Sequence, residues 1–272
     1  MSIWRAVAAA AVGARVARSV TLRGDAALSG QPSWIRTNYA GREVTLAGGP
    51  AVTGGVLLAT WLVAPRDRAA RAVATAAGVA SVVGRIDDIA GSSDARGLRG
   101  HLGALGRGQL TTGTVKIAGL FATGVAAGTV LGVRKRDLPV TAAAVAVGAN
   151  VANLFDLRPG RALKVGLVAT APALSGPALV PAAAIAGSAA GTLPRDLGER
   201  VMLGDSGAAA LGAAVATAVI AGGGQRAAGR VLAAAAALTL LSELVSFSRV
   251  IDALPPLRTF DQWGRRSDAG EQ

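Results

Sequence analysis

Hydrophobic and polar positions along this chain segregate into long blocks. Runs of Ala, Val, Leu and Gly approach the roughly 20 residues that cross a bilayer as a helix. Polar connections carrying Arg, Gly, Pro and Asp separate them. Nine such runs are predicted, at roughly 2–20, 46–64, 70–86, 112–132, 138–153, 163–176, 178–192, 207–222 and 231–249. The sixth and seventh are short and are parted by Ser175-Gly176-Pro177, a turn by composition, so one broken helical unit is the alternative there. The expected fold is an all-α polytopic membrane bundle of about nine transmembrane helices. No internal repeat or separable soluble domain is visible. Residues 1–272 therefore read as one integral-membrane domain, with 250–272 as a polar C-terminal tail.

Composition agrees. The chain is 51% hydrophobic with a mean hydropathy of +0.47, too apolar for an ordinary soluble domain. Aromatic residues are only 3%, so the apolar mass is small and aliphatic, which suits helices whose backbones approach closely in lipid. The absence of cysteine excludes disulfides and thiolate metal sites, and a single histidine, His101, excludes a His-rich metal cluster. Met1 to Val20 has the outline of a signal peptide. It is read as an uncleaved first helix because further apolar runs follow.

The net charge of +12 adds an orientation. Its arginines are not gathered in one tract and no aromatic residues interleave them, which argues against nucleic-acid binding. Alternating spans place 21–45, 87–111, 154–162, 193–206 and 250–272 on one side. The other side receives the N-terminus, 65–69, 133–137, 177 and 223–230. Of the 28 Lys and Arg, the second side takes nine: Arg5, Arg66, Arg68, Arg71, Arg134, Lys135, Arg136, Arg226 and Arg230. The positive-inside rule then puts the first side in the cytoplasm, the N-terminus outside and the C-terminus inside. The protein is expected to be a multi-pass protein of the plasma (inner) membrane. Arg134-Lys135-Arg136 runs against the bias.

The candidate chemistry lies in acids at the ends of apolar runs, all on that cytoplasmic side. Ionised carboxylates are too costly to be scattered in lipid. Together they read as a metal and phosphate site at the membrane surface. Asp87-Asp88, in GRIDDIAG from Gly84 to Gly91, suit Mg²⁺, which takes a few carboxylates, waters and substrate phosphate oxygens; a polar N-cap pair is the plainer alternative. Asn150, Asn153 and Asp156 recur every third residue and share a helical face if the span extends that far. Arg158, Arg161 and Lys164 follow at the same three-residue spacing among themselves and suit a diphosphate or lipid headgroups, or serve as snorkelling cations. Gly204-Asp205-Ser206-Gly207 opens a small-residue helix whose N–H groups face a phosphate, with Asp205 as metal ligand or N-cap. In the Gly-rich loop from Gly100 to Lys116, His101 reads as a general base or a surface residue. Gly106-Arg107-Gly108 lacks the flanking pattern of a phosphate loop.

In this order and spacing the segments resemble the polyprenyl-phosphate N-acetylhexosamine-1-phosphate transferases, the family of phospho-MurNAc-pentapeptide translocase and the UDP-GlcNAc:undecaprenyl-phosphate transferases. Asp87-Asp88 stand for its DD pair. Asn150-Val-Ala-Asn153-Leu-Phe-Asp156 resembles its N-x-x-N-L-x-D, and Met202-Leu-Gly-Asp205-Ser-Gly207 its M-G-D-[ST]-G. The stretch TNYAGREVTLAGGPAVTGG around Asn38 looks like its first cytoplasmic loop, and LVSFSRVIDALPPLRTFDQWGR like its last. The chain departs from the pattern at three places. Asp156 is followed by Leu157-Arg158-Pro159-Gly160 without a second Asp, and Gly91 replaces the lysine of D-D-x-x-K. Leu257 is followed by Arg258-Thr259 where the family has histidines.

The resemblance implies Mg²⁺-dependent transfer of a sugar-1-phosphate from a UDP-sugar to a polyprenyl (undecaprenyl or decaprenyl) phosphate, with release of UMP, for cell-envelope glycans. Mg²⁺, or Mn²⁺ in its place, would sit on Asp88 and Asp205. Asp87, Asp88 and Asp156 would be catalytic. Asn38, Lys116, Asn150, Asn153, Arg158 and Arg258 would bind substrate. Residues 250–272 would form part of the last active-site loop. Membrane lipids and a second copy in a homodimer are the further partners it implies. The departures favour an alternative, a catalytically degenerate member that binds polyprenyl-linked glycan or scaffolds envelope synthesis. A small-solute transporter, the third class, would place its acids at mid-depth rather than at span ends.

Overall fold

The computed structural model describes residues 2–90 and 112–266. The apolar runs form a helical membrane bundle. Its helices are α1 (Ser2–Leu28), α2 (Gly48–Val63), α3 (Arg68–Ala90), α4 (Thr112–Leu131), α5 (Leu138–Phe155), α6 (Arg161–Thr170), α7 (Leu179–Leu197), α8 (Gly204–Leu244), α9 (Phe247–Ala253) and α10 (Pro255–Gln262). Among the described residues, two three-residue strands interrupt them, β1 (Ile35–Thr37) and β2 (Glu43–Thr45), paired antiparallel with Arg36 opposite Val44. Among the described residues, five helical segments are long and apolar enough to cross a membrane: Arg68–Ala90, Thr112–Leu131, Lys135–Phe155, Gly176–Leu197 and Gly204–Leu244. Large apolar side chains such as Trp61, Val82, Phe121 and Leu240 remain exposed on the helices, as lipid contact requires.

Four predicted runs differ from the structure. The first helix continues past 20 to Leu28 and packs along α7 and α2, with Ala9 and Ala17 fully buried. The sixth run is a ten-residue helix, α6, followed by a 3-10 turn with Pro172 near its start. Ten residues rise only about 15 Å, half a bilayer core. The eighth and ninth runs lie within one helical stretch, α8, which turns at Gly224 (φ 63°, ψ −153°). This backbone conformation is open to glycine and costly for other residues. Asp205 and Thr239 line the same cavity. A straight helix would hold them about 51 Å apart. The two arms of α8 therefore fold back on each other at Gly224.

Packing rests on small residues. Ala208, Ala209, Ala213 and Ala214 of α8 are wholly buried against α3, α5 and α7. The closest approach that matters for the site is α3 on α8. A Cβ on Gly84 would overlap the carbonyl of Asp205. Overpacking of this kind costs about 1–3 kcal/mol. Gly84→Val is therefore expected to lower the melting midpoint in detergent. An unchanged midpoint would contradict the backbone contact between α3 and α8.

The β1–β2 hairpin docks beside the chain that enters α8. Thr45 pairs with Val201 in a parallel bridge, and the Met202 N–H donates to Thr45 O at 2.9 Å. This contact ties the 29–47 connection to the 198–204 connection at one end of the bundle.

Candidate functional site

The ends of α3, α5 and α7 meet the starts of α4, α6 and α8 at that same end of the bundle. Asp88, in the last turn of α3, directs both carboxylate oxygens at the start of α8. Oδ1 accepts from the Asp205 N–H and Oδ2 from the Ser206 N–H, each at 3.1 Å. Two orphan donors and the positive end of a helix dipole explain why a carboxylate settles there. Asp88 caps α8 from another helix.

Asp87 and Asp205 face each other across Lys116, which projects from the first turns of α4. Lys116 Nζ lies 2.7 Å from Asp87 Oδ2 and 2.6 Å from Asp205 Oδ1. One ammonium thus joins acids from two of the three predicted clusters. Asp156, from the third, follows the end of α5, where its N–H still bonds Asn153 O at 3.1 Å. Its carboxylate accepts from the Gly204 backbone. Burial first, then the negative charges of Asp196, Asp205 and Asp88, push its pKa well above the ordinary carboxylate value. The carboxyls of all three clusters therefore reach the Gly204–Ser206 turn or its immediate neighbours.

A cavity of about 780 Å³ opens beside them, lined by Asp87, Asp88, Lys116, Asn150, Asn153 and Asp205. Its far walls are apolar, with Ile117, Leu120, Val147 and Leu240. Asn150 Nδ2 reaches Thr239 Oγ1 at 3.4 Å. The Asn153 amide is buried, and neither its oxygen nor its nitrogen has a hydrogen-bond partner among the described residues. A buried amide without partners is costly in a fold, so its place on a cavity wall points to a ligand that satisfies it.

The remaining predicted residues fall elsewhere. Asn38 and Arg158 line a second cavity of about 290 Å³ together with Asp156, Asp196 and Glu199. Asn38 is fully engaged in holding its own turn. Its Nδ2 donates to Glu199 Oε2 at 2.6 Å, and its Oδ1 accepts from the N–H groups of Ala40 and Arg42. Arg158 stacks over Tyr39, 4.3 Å from the ring centre. Arg258 is exposed on α10 and lines neither cavity. Arg161 and Lys164 are buried and committed to the C-terminal segment rather than to a phosphate: Arg161 clasps Asp261, and Lys164 donates to the carbonyls of Phe260, Asp261 and Trp263. His101, Gly91 and Gly106–Gly108 lie outside the described residues.

Of three residues without a predicted role, Arg36 belongs to the site, whereas Asp196 and Glu199 line the second cavity. Arg36 lines the larger cavity and donates to Asp88 O. Asp196 accepts from the Gly160 N–H, and Glu199 pairs with Arg42 at 3.1 Å. Asp196 and Glu199 are single acids near a helix end, a pattern indistinguishable in sequence from a cap. Arg36 stands two residues before Asn38 and carries no signal of its own.

The set fits a divalent ion of the magnesium type. Among the described residues no three His, Asp or Glu side chains converge as metal ligands. Mg²⁺ needs only one or two carboxylates when waters and substrate phosphates complete its shell. Asp87 and Asp205 supply two, each with one oxygen not held by Lys116. Asp88 stands behind this pair with both oxygens on backbone N–H groups. No protein-family model matches the sequence, and no curated protein matches it either.

Proposed function

We propose that the protein transfers a sugar-1-phosphate from a UDP-sugar to a polyprenyl phosphate at the cytoplasmic face of the plasma membrane. The observation that carries this reading is the Asp87–Lys116–Asp205 bridge beside a cavity that sets these ionic groups against apolar side chains such as Ile117, Leu120, Val147 and Leu240. A phosphate on a long isoprenoid needs both surfaces. The resemblance to the polyprenyl-phosphate transferases supplies the reaction class. An oxygen of the lipid phosphate attacks the sugar-bearing phosphorus of the donor, and the bond to the bridging oxygen breaks. UMP leaves with that oxygen.

Bound by Asp87 and Asp205, Mg²⁺ would supply charge neutralisation on the diphosphate. The chain's own groups do the rest by position and electrostatics. Lys116 and Arg36 bring positive charge to the phosphates. Asn153 donates to a polar group of the donor. Asp88 fixes the start of α8 and thereby the place of Asp205. The lipid phosphate needs little help from a base, since the second pKa of a phosphate monoester is about 6.

In this reading the chain makes nine passages, α6 with its 3-10 turn giving a short one and α8 giving two. The N-terminus lies outside and the C-terminus inside. The chain has no cysteine, so single introduced cysteines report sidedness. Ser29→Cys is expected to react with an impermeant thiol reagent only in inside-out vesicles, and Lys135→Cys only in right-side-out vesicles. The reverse pattern would invert the orientation.

Asn153→Leu is expected to leave the melting midpoint unchanged or raised, because the buried amide has no partner to lose. Turnover should fall about 10-fold or more. Unchanged turnover would remove Asn153 from the site. The reading as a whole is tested by incubating the purified protein with polyprenyl phosphate, Mg²⁺ and a panel of UDP-sugars while assaying UMP. UMP release that requires both metal and lipid supports it.

The second reading is the degenerate member that binds polyprenyl-linked glycan or scaffolds envelope synthesis. It is favoured by Lys116 already neutralising the acid pair. It predicts lipid binding with no UMP.

A further inference from the structure

The position of Lys116 is unusual for a cation. It lies in the first turns of α4, where the helix dipole is positive and a second positive charge is disfavoured. The Asp87 and Asp205 contacts at 2.7 and 2.6 Å offset that disadvantage. The ammonium sits between two hard oxygen donors from different helices, the place a small divalent cation takes between carboxylates. Two cations cannot share it. The lysine stem is flexible, and it already lines the larger cavity.

We infer that Lys116 is an internal counter-ion that a divalent cation must displace, and that the displaced ammonium turns into the cavity to meet the donor diphosphate. The inference rests on the divalent-cation reading above and adds an exchange to it. Without metal, Lys116 holds α3, α4 and α8 together through the two acids, so the site does not spring apart by carboxylate repulsion. With metal, the same lysine is released at the moment a phosphate-binding cation is needed. Lys116 is then a positioning residue for the acids and a substrate-binding residue in turn.

The test is Mn²⁺ binding to the full-length protein in detergent, followed by the paramagnetic signal of the free ion, for wild type, Lys116→Gln and Lys116→Arg. Altering the partner of a ligand changes metal affinity by about 10–100-fold. Lys116→Gln, which removes the charge and keeps a hydrogen-bond donor, is expected to bind Mn²⁺ at least about tenfold tighter than wild type. Lys116→Arg keeps the charge and is expected to gain nothing. Asp205→Asn should abolish the site in either background. Equal or weaker binding by Lys116→Gln, with wild type still binding Mn²⁺ through Asp205, would overturn the exchange and leave the metal reading standing. No Mn²⁺ binding by wild type or Lys116→Gln would overturn both. Should Lys116→Gln prove unstable without metal, a rise in its melting midpoint with Mn²⁺ larger than that of wild type reports the same exchange. An equal or smaller rise would overturn it.

Discussion

Asp205→Asn is expected to reduce UMP release to below about one-thousandth of wild type while the protein stays folded in the membrane. The substitution removes one of the two carboxylates available to a divalent ion and one of the two partners of Lys116. It does so in the first turn of α8, at the centre of the converging segments. The fold has little reason to fail. The backbone N–H of residue 205 still donates to Asp88, and an Asn side chain keeps an oxygen facing Lys116. Melting midpoint and turnover should therefore separate. Full activity in Asp205→Asn would remove the metal assignment, whereas loss of folding would make Asp205 structural.

Asp261→Ala carries the largest expected loss of stability. Asp261 is 4% exposed and sits on α10, where Arg161 of α6 grips it with Nε at 2.7 Å and Nη2 at 3.0 Å. Arg265 adds a third contact at 2.7 Å, and Lys164 binds three carbonyls alongside. Removing one member of a buried ion pair strands the other and costs about 3–5 kcal/mol. Limited proteolysis should then cut the C-terminal segment in Asp261→Ala under conditions that spare wild type. Replacing both Arg161 and Asp261 with apolar residues should recover much of the loss. Burial pushes the Asp261 pKa up, but the hydrogen bonds and charge of Arg161, with Arg265 and Lys164, outweigh it and hold the carboxyl below its ordinary value. The folded value is the lower one. The contribution is therefore complete above the ordinary carboxylate range, about pH 4. It is lost as pH falls through the depressed folded value. The segment should stay docked at neutral pH and release in acid. Equal protease resistance of wild type and Asp261→Ala would contradict the clasp.

The helical membrane class was legible in the sequence because Ala- and Leu-rich runs of bilayer length have few other fates. The meeting of acids was legible for a related reason: a carboxylate at the end of an apolar run must find a polar partner. Partners were the illegible part. Arg161 and Lys164 carry the spacing of a phosphate site, yet their acceptors lie about a hundred residues away on α10. Asn38 reads as a ligand but closes its own turn and steadies Glu199. The third-residue spacing of Asn150, Asn153 and Asp156 implied one face. The helix ends at Phe155, and the backbone at Asp156 turns its carboxylate toward Gly204 instead. The short sixth run shows the limit of hydropathy: Pro172 and the Ser175-Gly176-Pro177 turn end α6 after ten residues although the apolar composition continues. Lys116 stood among the expected substrate contacts. Its bridge between two acids could be seen only once α3, α4 and α8 were placed together.

The most direct test follows a phosphorus atom. The purified protein is given polyprenyl phosphate, Mg²⁺ and a UDP-sugar labelled in the phosphate next to the sugar, and the lipid is extracted. The account predicts that the label moves into the lipid as a sugar-linked diphosphate in step with UMP release. Label that stays wholly in the water-soluble nucleotide, across the panel of UDP-sugars and with lipid and metal in excess, would contradict it.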